Sequence, residues 1–405
     1  MKKVLSILLV LSILLLLSSC KNTEYEAEVS LPIKGHFSVK GDIIIETKEM
    51  YAANNVIPNA KAYTYKDGKF YKLKRYETEI TILKKHTIYG ENYGYDTPLK
   101  LQYYICNSTV YAYPIFDIEQ QSDVGVQVIS IPENENCVII QGAYILPLYV
   151  NLKSGKITEI CRKDNSGFDL ASKVLSVSED GKYAAVLGTA VGVFTPEAYV
   201  TNLKNFKTTK ISLPKYDESI YKLVDACPSV FAGNRLYVNY TLEKQDINGG
   251  EEKNTFFYDI KTKKSEKLAA PLDDYATDYK YPYIKTKYKK ETATLAINNL
   301  KNITEYSFSI YHSNSISAIP NKTGQYVVVS YFEGEDTENQ QFFMADIKNH
   351  KDIDLTKADE KFDYLTYDGK PSSFDWISET ELLITCVDGT DEYIQTVINV
   401  KDALK

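Results

Sequence analysis

A chain of 405 residues with 44% hydrophobic and 12% aromatic side chains holds enough apolar material for a large core, which excludes a disordered chain. With 54 acidic against 47 basic residues the net charge is −7, which excludes a surface built for phosphate backbones, so no nucleic-acid partner is expected. Length alone gives about two or three domains, a number that holds only without internal repeats.

At the N-terminus Lys2 and Lys3 precede a strongly apolar run over residues 4–17, followed by Ser18, Ser19 and Cys20. The run falls short of the roughly 20 residues a helix needs to cross a bilayer, so it reads as the apolar part of an export signal. Leu17-Ser18-Ser19-Cys20 resembles the bacterial lipobox. The resemblance implies a signal peptide over 1–19, acylation of Cys20, a short tether over 20–26 and one folded domain over 27–405. Two acyl chains anchor stably where one does not. The expected location is therefore extracytoplasmic, lipid-anchored to the bacterial cell membrane.

Beyond the tether, residues 27–33 read as a strand, with Pro32 suited to an outer edge. Residues 62–73 read as a hairpin turning at Asp67-Gly68, and 79–123 as a degenerate unit with strands over 101–106 and 110–116. From residue 125 onward one signature recurs: an amide or acid, a branched apolar residue, then Lys. It stands at Asn151-Leu152-Lys153, Asn202-Leu203-Lys204, Asp259-Ile260-Lys261, Asn299-Leu300-Lys301, Asp346-Ile347-Lys348 and Asn399-Val400-Lys401, at intervals of 51, 57, 40, 47 and 53 residues. Each copy ends one strand and opens a short polar one. A second hairpin precedes most copies, clearest where Ser178-Glu179-Asp180-Gly181-Lys182-Tyr183 separates two apolar strands. Two hairpins make a four-stranded unit, the size of one propeller blade. No segment reads as an amphipathic helix.

The turn at 178–183 resembles that of the TolB-type, WD-like β-propeller repeat family, with Glu179 where the family has proline. The resemblance covers about residues 125–400 and implies an all-β fold: a single β-propeller of four-stranded antiparallel blades, eight of them, with seven as the alternative. The last unit lacks a fourth strand, so the N-terminal strand is expected to close the ring. It implies little about activity, because the fold hosts many chemistries.

In such a meander the turns after first and third strands share one side. Seven third-strand turns (66–69, 153–156, 204–207, 261–264, 301, 348–351, 401–402) hold 13 lysines against Asp67 and Asp402. Four loops of the other side (188–197, 241–254, 332–341, 388–392) hold 12 acids against Lys244 and Lys253. One basic and one acidic face are expected, with Cys20 beneath the basic one; the same pattern also arises because lysine suits any exposed turn.

Candidate site residues lie on the acidic side. Asp246, Asn248 and Glu251 begin a calcium-loop pattern without completing it, and Asp273, Asp274, Tyr275, Asp278, Tyr279 and Tyr281 mix aromatic rings with carboxylates as sugar or cationic-peptide sites do. Cys106, Cys137, Cys161, Cys227 and Cys386 are widely spaced and read as buried thiols. His36, His86, His312 and His350 are scattered, so no histidine-built metal site is expected. No nucleophile elbow, phosphate loop, dinucleotide fingerprint or zinc-protease motif occurs. The reading that results is a monomeric, lipid-anchored binding module recognising a protein, peptide or glycan partner through its acidic loops, without catalysis. No cofactor is expected, calcium being the one candidate. The alternative is a propeller glycan hydrolase or lyase using those carboxylates.

Overall fold

The computed structural model describes residues 25–29, 35–47, 57–82, 87–88, 91–92, 98–115, 126–142, 145–160, 170–190, 197–246, 249–268, 283–289, 292–298, 303–310, 316–332, 340–355, 370–387 and 393–403. Among these the chain is almost entirely β, with one four-residue helix, Val400–Ala403. The strands form eight antiparallel sheets of three to five strands, and a small pair, Thr87–Ile88 with Glu91–Asn92.

Each sheet is drawn from one continuous stretch of chain. The first holds Tyr25–Val29, Phe37–Lys40, Ile43–Glu46, Ala62–Lys66 and Lys69–Leu73. The second holds Tyr76–Thr81, Pro98–Cys106 and Thr109–Pro114. Four-stranded meanders follow: the third over 127–159, the fourth over 170–210 and the fifth over 221–267. The sixth has three strands, Tyr283–Lys289, Thr292–Asn298 and Ile303–Ser309; the seventh is again a four-stranded meander, over 316–354. The eighth has Lys370–Trp376, Glu381–Val387 and Tyr393–Asn399.

The apolar runs are explained by burial on both faces. In Cys137–Gly142, Val138 and Ile140 pack on Ile80, Leu101 and Val110 of the second sheet. The alternate residues, Cys137 and Ile139, pack on Val174, Ala184 and Val186 of the fourth. Period-two alternation is invisible in such a strand because both sides are core. The seventh sheet repeats the arrangement, with Val327 and Val329 facing the sixth sheet and Tyr326 and Val328 facing the eighth. Comparable packing joins the first sheet to the second and the fourth to the fifth. The eighth sheet also meets the first: Leu383, Ile377 and Val397 pack with Phe37, Ile44, Tyr63 and Phe70. Between the fifth and sixth sheets the described residues show no shared cluster; Tyr237 and Phe257 pack there only with Val230, Ala232 and Leu268 of their own stretch.

The repeated signature is a turn device. Its apolar residue donates its N–H back to the preceding hairpin of the same sheet: Leu152 to the Asn136 carbonyl (2.8 Å), Leu203 to Lys182 (2.8 Å), Ile260 to Asn234 (3.0 Å), Ile347 to Gln325 (2.8 Å) and Val400 to Thr380 (2.9 Å). Its amide or acid caps the turn, as where Asn151 Oδ1 accepts from Ser154 N and Asp259 Oδ1 from Thr262 N, both at 2.8 Å. The copy at Asn299 lies outside the described residues. Gly181 stands where only glycine fits: its φ is +64° and a Cβ would lie 2.2 Å from the Pro132 carbonyl oxygen of the third sheet.

Three expectations are corrected. Residues 25–29 do not complete the eighth sheet; they run along the outer strand of the first, Glu28 opposite Tyr71 and Val29 opposite Phe70. The reason is charge as well as proximity: Glu28 and Glu26 meet Lys69 and Lys72 at 2.9 and 2.7 Å. Residues 30–33 of that expected strand lie outside the described residues. The second sheet is built from the expected strands, but Tyr76–Thr81 joins the far side of Pro98–Cys106, and Thr109–Pro114 meets the first strand of the third sheet. Lastly, not every sheet has four described strands.

Buried glutamines tie neighbouring stretches where strands cannot. Gln141 accepts from Val174 N (2.8 Å) and donates to Val174 O (3.0 Å), and Gln102 holds Asn59 N and Ile57 O, both at 3.1 Å. Between the eighth and first sheets Gln395 donates to Gly35 O (2.5 Å) and Gly35 N donates to Tyr393 O (3.1 Å). His36 stands beside them, its Nδ1 2.6 Å from Thr47 Oγ1 and its ring edge-on to Tyr393, and its buried Nε2 has no hydrogen-bond partner. Burial lowers the His36 pKa from 6.5. The unfolded chain therefore takes up a proton first on acidification, so the stabilisation is present above about pH 6.5 and is lost as pH falls from there through the lower folded-state value. Urea midpoints measured from pH 8 to 5 are expected to fall more steeply for the natural chain than for His36→Gln; parallel curves contradict this assignment.

Candidate binding groove and charged turns

Most of the sequence-predicted site falls outside the described residues: Asp273, Asp274, Tyr275, Asp278, Tyr279, Tyr281 and Asn248, and likewise Cys20. Asp246 and Glu251 are described, and the expected loop over 241–254 is a tighter hairpin. Strands continue to Lys244 and resume at Glu251, with Lys244 N bonded to Gly250 O (3.0 Å) and Gly249 N to Asp246 O (3.1 Å). Glu252 is a strand residue whose carboxyl lies below the usual range because Tyr221 donates to it, with Lys267 3.6 Å away. No group of three or more His, Cys, Asp or Glu that could hold a metal occurs among the described residues. Cys106, Cys137 and Cys386 are buried free thiols, as expected, and Cys227 is half-buried. Burial pushes Cys227 and Cys386 up to about 11, so neither is a thiolate at neutral pH.

A groove of about 240 Å³ opens between the sixth and seventh sheets, lined by Phe308, Ser309, Tyr331, Gln341, Phe342, Phe343, Asp352 and Asp354. Register explains its composition. Along the face of the seventh sheet that meets the sixth, Val327, Val329, Ala345 and Ile347 close against Leu295 and Ile297. Further out, Tyr331 stands opposite Gln341, and Phe343 opposite Asp354, on the last strand, Lys351–Asp354. Phe308 lies on an outer strand, Ile303–Ser309, of the three-stranded sixth sheet. The rings of Phe308 and Phe343 meet edge-on at 4.8 Å, and Tyr331 lies 6.3 and 6.2 Å from them. At the floor Tyr306 donates to Asp352 Oδ2 (2.8 Å) and His350 stacks on its ring. Burial, then the Asp352 carboxylate, raises the Tyr306 pKa, so its hydroxyl remains a donor that orients Asp352. Sequence reasoning missed this groove because its rings look like core residues and stand on separate strands.

The end that bears the third-strand turns is not uniformly basic, and most of the expected acidic loops (191–196, 333–339 and 388–392) lie outside the described residues. The signature bonds put each third-strand turn beside the first-strand turn of its own sheet. Those first turns, with the Asn107-Ser108 turn between the last two strands of the second sheet, are linked in series: Asn107 to Asp42 (3.2 Å), Glu133 N to Thr109 Oγ1 (3.1 Å), Gly181 against Pro132, and Asn321 to Glu379 O (2.8 Å). Tyr65, donating to Glu381 at 2.9 Å, carries the series from the eighth sheet to the first. Lys66, Lys69, Lys153, Lys156, Lys204, Lys207, Lys348 and Lys351 thus share one end of the molecule, all exposed. The same end, however, carries Asp42, Glu133, Glu135, Glu179, Asp180 and Glu379 on the first-strand turns. The first strands of several neighbouring sheets touch one another. Lysines therefore form an outer rim around a mixed centre. The N-terminal entry is also reversed. Tyr25 lies opposite Leu73, at the far end of a strand that begins at the Asp67-Gly68 turn, so the strand Tyr25–Val29 begins at the end away from the lysines.

No protein-family model matches the chain, and no curated protein sequence matches it. Among solved structures, the β-propeller domain of the trilobed protease from Pyrococcus furiosus is 9% identical at a TM-score of 0.37, over 91% of this chain and 95% of that one. The WD40 domain of SCAP from fission yeast is 7% identical at a TM-score of 0.44, over 95% and 97%. A prolyl endopeptidase is 11% identical at a TM-score of 0.40, over 88% of this chain, which spans 55% of that protein's length. No residue here takes a role from these likenesses.

Proposed function

We propose that this protein is a lipid-anchored, extracytoplasmic binding module, an eight-bladed β-propeller that takes a basic side chain of a protein or peptide partner into the groove between its sixth and seventh sheets. The ring is supported by the packing that passes between neighbouring sheets at every junction except that of the fifth and sixth, and from the eighth to the first. The anchor is supported by Leu17-Ser18-Ser19-Cys20 after an apolar run too short to span.

The observation that carries the binding role is the convergence of Phe308, Tyr331 and Phe343 with Asp352 and Asp354 in one open groove. Ring faces attract a cation, and a carboxylate adds a charge-assisted hydrogen bond, so the pair selects Lys or Arg over a neutral group. Titrating Lys- and Arg-containing peptides and neutral oligosaccharides by calorimetry tests this. Peptide binding is expected to weaken about tenfold in Phe343→Ala and in Asp354→Asn, a loss near 1.4 kcal/mol each. Binding or turnover of the oligosaccharides with no peptide binding contradicts it. For the anchor, Cys20→Ser is expected to move the protein from the detergent phase to the aqueous phase; unchanged partitioning contradicts lipidation.

A further inference from the structure

The strand that borders the groove is unusual among the outer strands. Ile303–Ser309 of the sixth sheet is seven residues long, against three or four for the outer strands of the third, fourth, fifth and seventh. Thr292–Asn298 pairs with it along one side, and its other edge pairs with no strand among the described residues. Tyr306 and Phe308 face the seventh sheet, while the alternate residues Glu305 and Ser307 are exposed on the opposite face, bonded to Lys287 (3.2 Å) and Thr294 (2.7 Å). The first sheet shows what such an edge accepts. There Tyr25–Val29 lies antiparallel along the outer strand Lys69–Leu73, and its alternate carboxylates Glu26 and Glu28 meet Lys72 and Lys69. At the sixth sheet the signs are reversed, because the carboxylates belong to the receiving side. Asp352 accepts from Tyr306, and Asp354 stands opposite Phe343, whose ring meets Phe308 at 4.8 Å. The two carboxylates therefore alternate along Lys351–Asp354 at the levels of Tyr306 and Phe308. Alternate residues of a strand stand about 6.6 Å apart, and a strand laid beside them has the same spacing.

We infer that the partner is an extended peptide added as a strand along the outer edge of Ile303–Ser309, with Lys or Arg at two alternate positions, one directed to Asp352 and one to Asp354. This rests on the groove reading above and adds to it the partner's conformation and the spacing of its charges. Backbone hydrogen bonds to the edge supply affinity whatever the sequence, and the carboxylates set the register. The intervening positions face the Lys287–Glu305 pair, whose charges balance, so neutral residues suffice there. The acidic strand Tyr25–Val29 of a second copy would bring carboxylates against carboxylates, which excludes it as the occupant.

The test is calorimetry of the full chain with threonine-rich peptides as long as Ile303–Ser309. One carries a single lysine, and the others carry two lysines that are adjacent, alternate or separated by two residues. The alternate-lysine peptide is expected to bind about tenfold more tightly than the rest. Methylating its backbone amides one at a time is expected to weaken binding at every second amide, because only those point at the edge. In Asp352→Asn the advantage of alternate over adjacent lysines is expected to vanish, and an unchanged melting temperature shows that this variant is folded. Equal affinity for all two-lysine peptides, or amide methylation without alternation, overturns the inference and leaves the groove as a site for a single basic side chain. Failure of every lysine peptide to bind overturns the groove reading and the inference together.

Discussion

Everything in this molecule depends on strands that must be buried on both faces. A sheet whose central strand reads Cys137-Val138-Ile139-Ile140 has no side to give to water, so it is stable only between two other sheets. At about 25 cal/mol per Å² of apolar surface removed from water, exposing either face would cost more than a turn or a hydrogen bond can return. That requirement has no end in an open row: each terminal sheet would present an apolar face. The contact between the eighth and first sheets, through Leu383, Phe37, Ile44 and Phe70, answers it for the two chain ends.

Packing sets how the sheets stand, and polar groups set where they stop. Gln102, Gln141 and Gln395 occupy positions where the backbone of one stretch faces another without a ladder, and each supplies an amide in place of the missing strand. The proposed binding groove sits where packing gives way. Between the sixth and seventh sheets the aliphatic seam of Val327, Val329 and Leu295 opens into rings and carboxylates. At the turns, the signature fixes the apolar residue inward and leaves its lysine outward, so one structural device also places the lysines of that end.

Much of this was legible in the sequence because it is local. The turn at Ser178-Glu179-Asp180-Gly181-Lys182 and the copies of the signature carry their own chemistry, and strands were found where they were expected around each. What was illegible depends on distant partners. Residues 25–29 could pair with any open edge; the choice of Lys69–Leu73 follows from Glu28 and Glu26 meeting Lys69 and Lys72, pairs more than 40 positions apart. That pairing reversed the expected direction in which residues 25–29 run. The groove escaped because Phe308, Tyr331 and Phe343 are indistinguishable from core aromatics until register aligns them with Asp352 and Asp354. The basic face was overstated because only third-strand turns entered the expectation, and the acids of the first-strand turns share their end.

The central claim is that the first and eighth sheets pack together, and Tyr65 with Glu381 reports on it most directly. They lie 316 positions apart, and the Tyr65 hydroxyl, pushed up to about 12 by burial and then by the Glu381 carboxylate, donates to it at 2.9 Å. A double-mutant cycle of Tyr65→Phe and Glu381→Ala, read from urea unfolding, should give a coupling of about 1 to 2 kcal/mol. Strictly additive effects would mean that the first and eighth sheets do not meet.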